Sequence, residues 1–139
     1  MSSLIVTQEG AELLFQYGLQ YNSKIQAIAH LIGSPYTVAH ASTQATLAAK
    51  ELVVAGYSPL TLVSPASPWS LIALANGYEL VNQPPPWTFN GACTVYGWWL
   101  ASGAGTYSLF GALWDTPYVF GAAGGQFYAV FSPTLTSLP

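Results

Sequence analysis

From Leu80 to Trp114 the chain carries no charged side chain, and this stretch limits the possible folds more than any other feature. A run of that length could cross a bilayer as a helix, which needs about 20 apolar residues. Yet Pro84-Pro85-Pro86, Asn90-Gly91 and Gly103-Ala104-Gly105 interrupt it. Proline removes a backbone donor and clashes with the preceding helical turn, while Asn-Gly and glycine-rich sites favour tight turns. A spanning helix is excluded. What remains is a series of short extended segments joined by turns.

Those segments can be placed along the chain. Ile25, Ala27, Ala29 and Leu31 alternate with Gln26, Ile28, His30 and Ile32 before the stop at Gly33-Ser34-Pro35, which predicts a strand. Thr46 to Val54 is a second candidate strand, although its Ala-Ala-Lys-Glu centre also suits a helix, and Thr61 to Val63 is a short third. Ser64 to Pro68 reads as a loop. Ser70–Ala75 and Tyr78–Val81 flank Asn76-Gly77, the signature of a type I′ hairpin. Trp87 to Phe89 is a strand ended by Asn90-Gly91. Cys93 to Leu100 is apolar on both faces, which places it centrally or against a partner. Tyr107–Trp114 and Tyr118–Phe120 bracket Asp115-Thr116-Pro117, and Gly121 to Gly125 turn the chain into Phe127–Phe131.

About eight short strands with glycine and proline turns predict an all-β fold, a β-sandwich or jelly roll. One short amphipathic helix precedes them: Thr7 suits an N-cap, Glu9 and Glu12 sit where the helix dipole favours acids, and Ala11, Leu14, Phe15, Gly18 and Leu19 recur at helical spacing. The expected organisation is a single domain over residues 1–139, with a helical arm over 1–22 and the sandwich over 23–139.

Composition then narrows the partners. Two basic and five acidic residues make 5% of the chain charged, against about 25% in an ordinary soluble domain. A folded chain of this mass exposes roughly 7,000 Å², so one charge serves about 1,000 Å². With 52% hydrophobic and 14% aromatic residues, much of that surface needs cover from lipid, glycan or protein. Lys24 and Lys50 alone cannot neutralise a phosphate backbone, so no nucleic-acid partner is expected. The start, Met1 to Val6, lacks the basic region and apolar run of a secretory signal. The expectation is a soluble protein made in a cytosol, with no membrane partner.

Chemistry has few parts to work with. Cys93 is the sole cysteine, so neither an internal disulfide nor a cysteine-based zinc site can form. His30 lies in a strand pattern and reads as a structural histidine; His40, in a loop, reads as solvated. Asp115 and one histidine could be drawn into a triad, but no serine sits in a strained Gly-x-Ser-x-Gly turn. Glu9, Glu12 and Glu51 read as solvated on helical segments, leaving no obvious carboxylate pair. The glycine-rich turns lack the following helix and lysine of a phosphate loop. No catalytic residue, cofactor site or metal site is expected, and the chain reads as a non-enzyme.

Aromatic side chains are the plentiful resource: 5 Trp, 9 Tyr and 6 Phe. They supply most of the burial in cores and interfaces alike. Trp69, Trp87, Trp98, Trp99 and Tyr118 are the candidate interface residues. Trp69, Trp87, Trp98, Trp99 and Trp114 could instead stack on sugars, although the groups that bind hydroxyls are scarce apart from Gln and Asn.

The order Ala55-Gly56-Tyr57, Pro68-Trp69, Trp87-Thr88-Phe89-Asn90-Gly91, Thr94-Val95-Tyr96-Gly97-Trp98-Trp99-Leu100, Trp114 and the ending Phe127 to Thr134 resembles small virion proteins of tailed bacteriophages, especially those of cyanobacteria and other aquatic hosts. The resemblance covers about two-thirds of the chain and is tightest from Phe89-Asn90-Gly91 to Val95-Tyr96-Gly97-Trp98; Asp115 stands alone where related sequences often carry further charge. It implies a β-sandwich decoration or cement protein on the capsid exterior, bound between major capsid subunits and to copies of itself, as a homotrimer, with no catalytic residues to carry over. The alternative expectation is a receptor- or glycan-binding module on a tail or fibre.

Overall fold

In the computed structural model the described residues are 4–6, 27–62, 70–74, 77–81, 83–102, 107–131 and 134–136. They form strands β1 (Leu4–Val6), β2 (Ala27–Ile32), β3 (Leu60–Leu62), β4 (Ser70–Leu74), β5 (Gly77–Val81), β6 (Trp87–Phe89), β7 (Cys93–Ser102), β8 (Ser108–Phe120), β9 (Gly125–Phe127) and β10 (Thr134–Thr136), with one short helix, α1 (Gln44–Ala48). Every strand pairing is antiparallel. The fold is all-β with little helix.

The strands make a five-stranded sheet ordered β1-β8-β7-β2-β3, a three-stranded sheet ordered β10-β5-β4, and the pair β6-β9. β7 lies in the middle of the largest sheet, as its two apolar faces require. Ala27, Ala29 and Leu31 of β2 join Trp98 and Leu100 of β7 and Phe110 and Ala112 of β8 in the larger core, under Trp87, Phe89, Phe127 and Phe131. Ile32, Trp99 and Ala101 point to the opposite face, where Val38 and Leu47 cover them. The period of two along β2 thus feeds two cores.

Close approach of β8 explains one glycine in β7. A Cβ on Gly97 would collide with the Ala112 carbonyl and come within 2.7 Å of the Leu113 side chain. Just before it, the ladder slips: Val95 pairs Tyr118 and Gly97 pairs Leu113. Tyr96 alone therefore faces Trp114, Asp115, Thr116 and Pro117, a wide bulge in β8. Proline cannot donate to a ladder, and a bulge is one of the few places in a sheet that tolerates it.

Several expectations need correction. Asp115-Thr116-Pro117 does not separate two strands but forms the bulge within a continuous β8. The segment around Thr46 is helix, not strand, at its start: Thr43 caps α1, accepting from Thr46 N at 3.3 Å while Thr46 Oγ1 accepts from Thr43 N at 3.0 Å, a reciprocal capping box. The hairpin exists, but Leu74 pairs Gly77, so Gly77 belongs to the strand and the register runs one residue earlier than an Asn76-Gly77 turn demands. The final strand stops at Phe127 instead of reaching Phe131, and β10 follows it. Of the arm over 1–22, Leu4–Val6 is a strand paired with β8; the helix expected after Thr7 and the loop at 64–68 lie outside the described residues.

Candidate functional site

The most organised polar group in the described residues centres on His30. Along the outer edge of β2, β3 pairs only with Ala27 to Ala29. Further on, Leu52 N donates to Leu31 O at 2.8 Å and Gly33 N to Lys50 O at 2.9 Å, with Ile32 and Glu51 bridged. Between these two stretches the Leu31 N–H would be left over. Tyr57 fills that gap: its hydroxyl accepts from Leu31 N at 2.9 Å and donates to Glu51 Oε1 at 2.9 Å.

The same Glu51 oxygen lies 2.6 Å from His30 Nδ1. The carboxylate can only accept, so Nδ1 carries the hydrogen of this bond, the second that this oxygen receives. The imidazole stacks on Trp99 at 4.4 Å between centroids and 7° between planes, and Trp99 Nε1 donates to Gln44 Oε1 at 2.9 Å. Burial pushes the Tyr57 phenol well above its ordinary value; the Leu31 N–H opposes that and the Glu51 charge adds to it.

Geometry limits what this centre can do. His30 Nε2 is buried and has no hydrogen-bond partner among the described residues, so a solute could reach it only if the fold opened. Among the described residues no three of His, Cys, Asp and Glu converge to hold a metal ion. Cys93 is partly buried, and burial raises its thiol pKa, which lowers the thiolate fraction that a nucleophile needs. The His30 network is therefore read as a fastening of the sheet edge. It also corrects the reading of Glu51, which is turned inward to His30 and Tyr57 instead of lying solvated on a helix.

A second feature faces outward. Three loops meet at one end of the molecule: Asn90 N donates to Ala55 O at 2.7 Å, Gly91 lies against Val54, and Gly124 at φ +69° packs its backbone on Phe89 and Gly91. A side chain at Gly124 would strike the Phe89 carbonyl, so the tight loop needs glycine there. Residues 52–62, 83–102 and 116–131, which build this region and the adjoining strands, contain no charged side chain. Val53 is 94% exposed and Val119 77%, and Tyr118, Tyr128 and Val130 are each about half exposed or more. Tyr118 stands edge-on to Trp114 and to Phe127, at 5.3 Å in each case.

The aromatic residues named from sequence divide accordingly. Trp87, Trp98 and Trp99 are buried in the chain's own cores, so their rings are withdrawn from any partner. Trp87 is held there by Nε1 donating to Ser58 O at 3.0 Å. Tyr118 is open to solvent, Trp114 is partly buried, and Trp69 lies outside the described residues. His40 is exposed in a turn. The pairing of His30 with Glu51 and of Leu31 with Tyr57 is not legible in the sequence, because 21 and 26 residues separate the partners that meet on β2.

No protein-family model, curated protein or solved structure matches this chain.

Proposed function

We propose that this protein is a non-enzymatic structural subunit of a virus particle, a decoration or cement protein that binds between major capsid subunits. The exposure of large apolar side chains on a chain so poor in charge carries the reading. A chain with 7920 Å² of accessible surface and seven ionised side chains turns one of them, Glu51, inward, and presents Val53, Tyr118, Val119, Tyr128 and Val130 to the outside. Exposed apolar side chains on a surface this poor in charge fit one that a partner covers. The choice of a phage capsid and a homotrimeric form rests on the sequence resemblance; a sandwich-type stacking of the sheets rests also on the spacing of short strands and turns. The site of action is the capsid exterior, after synthesis in the host cytoplasm.

Binding through apolar and backbone contacts is weakly screened by salt. Purified particles washed in molar salt are expected to retain the protein, at a copy number matching the capsid lattice. Ready stripping by salt, or absence from particles, would sink the proposal. The exposed Tyr118 ring beside Trp114 favours a second reading, stacking on a sugar by a tail or fibre module. That reading requires few copies per particle and retention on a glycan column that Tyr118→Ala abolishes.

A further inference from the structure

The chain holds two Asn-Gly steps, Asn76-Gly77 and Asn90-Gly91. Asparagine is chemically labile, most of all before glycine, where no side chain shields the next amide nitrogen. The fold treats the two glycine nitrogens differently. Gly77 begins β5 and pairs with Leu74 in a ladder that continues to Ser70 and Val81, so its amide is held in extended backbone.

Asn90-Gly91 instead follows the end of β6 in a bend. Asn90 N donates to Ala55 O at 2.7 Å, which anchors the backbone. Its side chain is exposed, and among the described residues nothing hydrogen-bonds to the carboxamide. That group lies over Gly56, where a Cβ would come within 2.7 Å of Asn90 Nδ2. Among the described residues the Gly91 N–H has no acceptor either.

Packing does not explain the glycine at 91. Gly56 and Gly124 adopt positive φ, which favours glycine. Gly91 does not, and a Cβ there would meet only Val54 Cγ2, at an ordinary 3.5 Å. Alanine would fit. What glycine adds at this position is an unshielded amide beside an untethered carboxamide.

We propose that Asn90-Gly91 is a spontaneous modification site, at which Asn90 loses its side-chain amide in the folded protein. The Gly91 nitrogen gives up its proton and attacks Asn90 Cγ. The N–Cγ bond forms, the Cγ–Nδ2 bond breaks, and ammonia leaves with the proton, closing a succinimide ring. Water then opens either ring carbonyl, giving aspartate or iso-aspartate; it is the sole co-reactant. The product places a carboxylate within Leu80 to Trp114, a stretch otherwise without charge. Iso-aspartate also lengthens the backbone by a methylene next to the Asn90 N–Ala55 O bond, which loosens the junction of the three loops. The site goes beyond the assembly reading and does not depend on it.

The test ages the full-length chain in mildly alkaline buffer, folded in one sample and unfolded in guanidinium chloride in the other. Isoelectric focusing reads each conversion as one charge more negative than the starting −3. Peptide mapping with iso-aspartate detection assigns the residue. In the unfolded sample Asn76 and Asn90 are expected to convert at similar rates. In the folded sample Asn90 is expected to convert at least several-fold faster than Asn76. Gly91→Ala is expected to keep the unfolding midpoint of the parent or raise it slightly, and to slow conversion at Asn90 several-fold. Protection of Asn90 by the fold as strong as that of Asn76 overturns the proposal, and so does undiminished conversion in folded Gly91→Ala. Should Gly91→Ala fail to fold, the folded-to-unfolded ratio of the parent chain decides alone.

Discussion

On one face of the five-stranded sheet, Trp87, Phe89, Phe127, Phe131 and Trp98 meet ring to ring, with centroids 4.8 to 6.3 Å apart. On the other, Trp99 lies under His30 and is tied to Gln44, and Ser42 links Ala39, Tyr36 and Ser108 through hydrogen bonds of 2.9 to 3.3 Å. The first face is held by area, which is strong and non-directional; the second adds to a smaller apolar core directional bonds, each worth about 1 kcal/mol net but expensive to break singly. The difference teaches how a chain poor in charge still specifies its packing. Rings supply the stability, and a few polar groups set where the strands end and which loop lies over them.

The sharpest way to break this comparison is Phe127→Ala. Its ring touches Trp87, Phe89, Trp114, Tyr118 and Phe120, and removing a buried aromatic costs about 3–5 kcal/mol. Urea unfolding should show that loss; a value no greater than that of the polar variants below would erase the distinction between the faces. Next comes Glu51→Ala, which leaves His30 Nδ1 and the Tyr57 hydroxyl without their acceptor. An unsatisfied buried donor costs roughly 1–3 kcal/mol, and the partial exposure of Glu51 places the expected loss in the lower half of that range. Combined with Tyr57→Phe, the two losses should add to less than their sum, because they break one network.

A smaller effect follows pH. The unfolded Tyr57 phenol gives up its proton near 10, while the folded protein holds that proton to higher pH. Above about 10 the unfolded state binds fewer protons, so stability present in full below that pH declines as pH rises past it. Melts followed across the alkaline range should show the decline, and Tyr57→Phe should flatten it; an unchanged slope in the variant refutes the assignment. The smallest expected change is Thr43→Ala, which removes the cap of α1 and should cost about 0.5–1 kcal/mol, detectable as a modest drop in thermal midpoint.

Legibility from sequence followed the range of each interaction. β2, β6, β7 and the β4-β5 hairpin were readable because alternation and turn residues are local signals, whereas the helical option at Ala48-Ala49-Lys50-Glu51 lay too late in the chain, since the helix is Gln44–Ala48 and Glu51 bridges to β2. The hairpin register was not, because pairing across the strands overrode the Asn-Gly preference. The Pro117 bulge was readable as a break, but not as one inside a single strand, since β7 supplies the continuity. Glu51 looked solvated because nothing near it in sequence signals His30 or Tyr57. The tryptophans were legible as important and illegible as to which way they face; a one-residue slip in β7 reverses every side chain.

The widened stretch at Pro117 has a consequence for solubility. A sheet this greasy, with hardly a lysine to guard its rim, is at risk of adding strands from other molecules without end. Where Trp114 to Pro117 buckle away from the ladder, β8 no longer offers a straight row of donors and acceptors, and one donor is missing altogether. Growth into fibrils is thus discouraged by backbone shape and not by electrostatic repulsion.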